Sequence, residues 1–167
     1  YTPSAVSSGS SATVPLGFIM IQIFPYIEGE NFIEYLKEYD GWAAVNEAYS
    51  NPPLSTMQII HPEKYVEDIQ PENVTIPDFD VEGWQILGVD ELGEFAIFTM
   101  LWSKGIAQLT FVDVGRYSYS SPYTSGWNGD WMVVYKKDGL YGYVWRTAWM
   151  NETEALEFED GYTQMLN

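Results

Sequence analysis

The chain contains no cysteine and a single histidine, His61, in 167 residues. Without cysteine there are no disulfides, no thiolate nucleophile and no thiolate metal site. One histidine excludes an HExxH zinc helix, which needs two on one face. A metal site within the chain would have to combine His61 with carboxylates. No G-x-S-x-G turn is present to expose a serine nucleophile. Basic residues are scarce, 7 Lys and Arg against 24 Asp and Glu, which leaves a formal net charge of -17. Such a field repels phosphate backbones and anionic lipid, so nucleic acid and membrane surfaces are poor partners, whereas cations and basic chains are not. No apolar run reaches the roughly 18 residues of a membrane span. The longest, VPLGFIMIQIFPY (14–26), is broken by Pro15, Gly17, Gln22 and Pro25 and reads as buried core.

What the chain does have is aromatic mass, 7 Trp, 13 Tyr and 8 Phe, within 46% hydrophobic residues. That is enough to build a core and excludes a disordered chain. The length suits one domain, 14–167, preceded by a Ser/Thr/Gly-rich leader, 1–13, that reads as linker. Asn73-Val-Thr75 and Asn151-Glu-Thr153 fit the N-glycosylation sequon. With the Tyr-rich, Lys-poor composition they point to an extracellular or cell-surface glycoprotein.

Local patterns give an α+β order. Asn31 with Glu34 has capping-box spacing, and Phe32, Tyr35, Leu36 and Tyr39 share a helical face. Asp40-Gly41 interrupts, and Trp42, Val45 and Tyr49 continue in a second short helix. Ser55 and Gln58 cap a turn that carries His61 and ends at Pro62. Residues 66–82 are polar and extended, and 83–87 form a strand. Asp90 caps a buried helix of about 91–103, apolar nearly all round. Residues 106–114 fit helix or strand, and 116–130 read as a long loop. A β-hairpin over 131–149 turns at Lys137-Asp138-Gly139. Asn151 and Glu154 cap a C-terminal helix whose face is Ala155, Phe158, Tyr162 and Met165. The expected fold is therefore a helix-rich first half, a small antiparallel sheet, a buried helix and a final helix.

Among candidate site residues, His61 with Ser55 and Pro62 forms a structural motif, the imidazole bonding a neighbouring backbone carbonyl. Glu94 stands among apolar neighbours and needs a partner, such as Arg116, Arg146 or a backbone amide, or else has a raised pKa and a chemical role. Asp78, Asp80 and Glu82 copy early positions of a calcium loop, but its twelfth position is Val89. Tyr117, Tyr119, Tyr123 and Trp127, with Asp130, make a candidate binding loop for glycan or peptide.

Several blocks together resemble a known family. FPYIEGENFIEYL (24–36), GWAAVNEAYSNPPLSTMQIIHPEKY (41–65), GWQILGVDELGEF (83–95), GWNGD (126–130) and Glu157-Phe158 run in that order. They are similar to the C-terminal half of secreted prokaryotic zinc metallopeptidase-like proteins. The ST-x-Q-x-x-HPEKY block is the most specific of them. In that family the HExxH helix and its third ligand precede FPY, so the resemblance assigns no catalytic residue and no zinc ligand to this chain. It implies a non-catalytic part that packs against an N-terminal, zinc-bearing portion of the same precursor. The alternative is a stand-alone extracellular module that binds glycan, peptide or calcium.

Overall fold

Residues 14–77, 82–113, 116–119 and 121–167 are described by a computed structural model. The leader 1–13, Asp78 and Asp80 lie outside them. A long helix, α1 (Leu16–Ser50), opens the structure and bends where Asp40 and Gly41 leave helical dihedrals. Two short helices follow, α2 (Thr56–Ile60) and α3 (Pro62–Val66), with His61 at the corner between them. Next come β1 (Gln85–Asp90), α4 (Gly93–Trp102), β2 (Thr110–Asp113) and β3 (Arg116–Ser118). The hairpin strands β4 (Trp127–Lys137) and β5 (Leu140–Trp149) and the last helix, α5 (Glu152–Leu166), complete the α+β fold.

Strands β1, β4 and β5 form one antiparallel sheet in that order, and β2 pairs with β3 separately. The hairpin register runs from Trp127↔Trp149 to Lys137↔Leu140. Its two-residue turn has Asp138 and Gly139 both at positive φ, which matches the twist of the strands. The strand β4 starts at Trp127 and β3 occupies 116–118, so the region expected as one loop is partly sheet. The start of β4 pairs with the far end of β5, Trp127↔Trp149, and β3 pairs with the nearby β2, Thr110↔Ser118, neither of which Tyr, Ser and Gly content reveals.

The buried helix is found where the apolar pattern places it. Phe95, Ile97, Phe98 and Leu101 of α4 are each at most 2% exposed. They meet Phe24 of α1, Met57 of α2, Trp127 of β4 and Phe158 of α5. Each such side chain contributes about 1.5–3 kcal/mol of burial. The ring of Tyr119 is met edge-on by Phe95 at 5.1 Å and Phe98 at 5.5 Å. A smaller cluster, Phe32, Leu36 and Val45, fills the crook of α1 against α2 and α3.

Two expectations for the first half are corrected. The break expected at Asp40-Gly41 is present, with both residues at non-helical dihedrals between the two helical stretches of α1, but Asn31 lies inside the first stretch, donating to Glu28 Oε2 rather than capping. The apolar segment 14–26 is not core: Leu16, Phe18, Ile19, Ile21 and Ile23 are exposed, and Phe24 alone of the segment is buried. A single helix shows only one stripe to its neighbour. Here α4 is that neighbour, approached through Gly17, where Thr99 would stand 3.2 Å from an added Cβ. No helix among the described residues is long and apolar enough to cross a membrane.

Candidate functional site

Three buried carboxylates surround the entry and flank of α4, and each is handled differently. Asp130, 2% exposed, sits on β4. Its Oδ1 accepts the Gly93 N–H at 2.9 Å and the Trp127 indole N–H at 3.0 Å. Its Oδ2 accepts the Leu92 N–H at 3.0 Å and the Trp145 indole N–H at 2.8 Å. Four donors and the positive end of α4 compensate the charge. Asp90, expected to cap this helix, ends β1 and accepts only from Glu91 N–H among the described residues, so the cap comes from another strand. Gly93 itself has φ +74, and an added Cβ would stand 2.9 Å from Thr56 Oγ1, so glycine is required there. Thr56 Oγ1 in turn accepts the Phe95 N–H at 3.2 Å.

Glu94, fully buried, meets His61 across the α2–α3 corner, with Nε2 3.0 Å from Oε1. Arg146 is not its partner but donates to the Thr75 carbonyl, the Arg116 side chain lies outside the described residues, and the imidazole bonds a carboxylate rather than a backbone carbonyl. The other ring nitrogen faces Glu63 at 3.7 Å. Burial raises the Glu94 pKa, the His61 hydrogen bond and charge and then Lys64 pull it back, and Glu63 pushes it up. Among the described residues its Oε2 has no partner. The cleft beside this corner is walled by Ile59, Ile60 and Pro62. The pair pins α2 and α3 to α4. Ser55 was expected to cap the turn, but its hydroxyl makes no hydrogen bond among the described residues. Gln58 performs the work instead, accepting Leu54 N–H at 2.6 Å and donating to the Ile69 carbonyl at 2.8 Å. Pro62 opens α3 at its first turn, where no N–H is missed.

The third carboxylate, Glu28, is 5% exposed and was not singled out by sequence reasoning. Its signal was present: Phe24, Glu28, Phe32 and Leu36 recur every four residues, and all four are buried. The Tyr119 hydroxyl faces Glu28, and burial first and that carboxylate second raise its pKa.

The expected binding loop does not offer an aromatic platform. Trp127 is fully buried, Tyr119 is 3% exposed and Asp130 is consumed by its four donors. Tyr123 packs into the core margin, and Tyr117 is left on the surface, 38% exposed. The burial follows from β4 beginning at Trp127: the strand turns that indole inward between α4 and α5. Gly129, at φ +154, brings β4 against the segment before β1, where an added Cβ would stand 2.4 Å from the Glu72 carbonyl oxygen. The motif GWNGD is therefore a packing device. Of the calcium candidates, Glu82 is exposed and its carbonyl accepts Lys137 Nζ at 2.8 Å. Among the described residues, no three His, Asp or Glu side chains gather as a metal centre requires.

Residues 85–167, from β1 through α5, match a family profile described as Domain of unknown function (DUF8575). The matched span contains Glu94 and Asp130 but neither His61 nor Glu28. No curated protein and no solved structure matches the chain.

Proposed function

We propose that the chain is the non-catalytic C-terminal part of a secreted metallopeptidase-like protein, and that it packs against a zinc-bearing part preceding it. The observation that carries this reading is the uncovered apolar start of α1. Val14, Leu16, Phe18, Ile19, Ile21 and Ile23 are between 39% and 58% exposed. Beside them runs an open groove of about 470 Å³, where Leu16 and Ile21 face Ala96, Met100 and Trp102. Soluble monomers seldom expose contiguous apolar surface on this scale, and such patches mark interfaces. The patch lies on the side of FPY where the resembled family carries its HExxH helix, so the partner of this face is that helical part. Zinc, and the hydrolytic chemistry it supplies, belong to the partner. This chain contributes the wall on which the zinc-bearing helices rest.

A secreted location fits the surface. Asn73 and Asn151 are both exposed, and Asn151 accepts the Glu154 N–H through Oδ1, which leaves its amide nitrogen free to carry a glycan. Protein recovered from its native source should carry added glycan mass at one or both sites, and unmodified mass at both counts against export through a glycosylating route.

The test of the packing role uses the chain alone. Sedimentation should show self-association at micromolar concentration and binding of an apolar dye, and the double variant Ile19→Glu, Ile23→Glu should abolish both. A monomeric, dye-silent parent chain overturns the reading.

A further inference from the structure

Strand β1 is an outer strand of its sheet, with β4 on one side only. Among the described residues no backbone group of β1 finds a partner beyond β4. One edge of Gln85–Asp90 therefore presents unmet N–H and C=O groups over about 20 Å. All six residues are exposed. Proteins blunt such edges with lysine, proline or a charge in mid-strand, and QILGVD has none of these.

A bulge at Leu87 exposes more of this edge than it hides. Residues three apart in a regular strand face opposite sides, yet Ile86 pairs with Tyr135 and Val89 with Val133. The extra residue thus brings Ile86 and Val89 to one face. On that face Tyr135 and Val133 are buried, at 7% and 6%, whereas Ile86 and Val89 are 61% and 53% exposed. The apolar layer loses its cover at the last strand. The other outer strand, β5, differs, because α5 packs along it with Phe158 against Trp145 and Trp149.

Charge selects the kind of strand that fits. At the Gln85 end, Lys136 lies over the Tyr141 ring and Lys137 donates to the Glu82 carbonyl. At the other end Asp90 and Glu91 are exposed, and no cation among the described residues pairs with either. Partial burial first, then Asp130 and Asp90, raise the Glu91 pKa, as a concentrated negative field requires. A second copy of the chain would bring another net charge of -17 to the same edge, which opposes self-pairing.

We infer that the free edge of β1 receives an extended segment of a basic polypeptide as a fourth strand. The guest strand runs antiparallel, as every pairing in this sheet does, so its N-terminal end lies at Asp90 and Glu91. Lysine or arginine at that end meets the two carboxylates, and alternate apolar side chains continue the face of Ile86 and Val89. The inference is independent of the role proposed for the start of α1.

The probe is a synthetic peptide of two arginines followed by alternating valine and threonine. It is titrated into the whole chain and followed at the backbone amides of residues 85–90 by NMR. Saturable shifts at those amides are expected, with their hydrogen exchange slowed about ten-fold at saturation. A twin N-methylated along its pairing edge should bind about ten-fold more weakly, and so should a twin with glutamates for arginines. Val89→Lys should weaken binding several-fold, as should Asp90→Asn combined with Glu91→Gln. Absence of saturable shifts overturns the site, and so does equal binding of either twin. Exchange at 85–90 that slows with chain concentration alone identifies a second copy as the occupant and overturns it too. If Val89→Lys does not fold, the two twins on the parent chain decide.

Discussion

At Asp130 one carboxylate receives two backbone and two indole N–H donors, from positions up to 38 residues away. Asparagine would replace one acceptor oxygen by an amide nitrogen facing two donors. Asp130→Asn should therefore lose about 2–6 kcal/mol, since each buried unmet donor costs about 1–3 kcal/mol. Urea denaturation measures this, and a loss below about 1 kcal/mol contradicts the hub. Glu94 makes a pH prediction. Its folded pKa is raised above the ordinary carboxylate value by burial, so its contribution to stability is present below about pH 4.5 and is lost as pH rises through the folded pKa. The groups facing it, His61, Glu63 and Lys64, remain in Glu94→Gln, which cannot ionise. The melting temperature of that variant relative to the parent should rise between about pH 4 and about pH 7; a constant difference contradicts the raised pKa. Both residues were legible as candidates, Glu94 because a charge stood in an apolar run. Of their partners, His61, Leu92 and Gly93 were not, because local pattern carries no record of contacts 33 to 38 residues apart.

At the scale of elements, α4 was legible because ten residues apolar on every side have nowhere to go but inside. So were the hairpin, from Asp138-Gly139, and α5, from the Asn151 cap and the Phe158 face. The start of α1 was not. An apolar segment left exposed on its own chain reads the same as one buried in it. This face gives a two-sided prediction. Ile19→Glu with Ile23→Glu should change the stability of the isolated chain by less than about 1 kcal/mol, as expected of exposed positions. Gly93→Ala, by contrast, forces a left-handed residue against Thr56 and should cost about 1–3 kcal/mol. Thermal melts of the two variants side by side separate an interface from a core.

Across the whole molecule, charge is the dominant imbalance. A net charge of -17 acts on a fold whose described ion pairs are those of one histidine. Self-repulsion of that kind weakens the compact state and is screened by salt. Melting temperature should rise as sodium chloride goes from about 20 mM to about 500 mM, and a fall would mean that attractive pairs dominate. The apolar face of α1 and the acidic cleft beside the α2–α3 corner lie on the same helix, one facing α4 and its groove, the other facing β3 and the corner. In the proposed whole protein the first face is covered by the zinc-bearing part. The coding sequence immediately upstream of the Tyr1 codon tests this most directly. The account predicts an in-frame HExxH segment there, followed by helices long enough to cover residues 14–26. A signal peptide that ends at Tyr1 would contradict it.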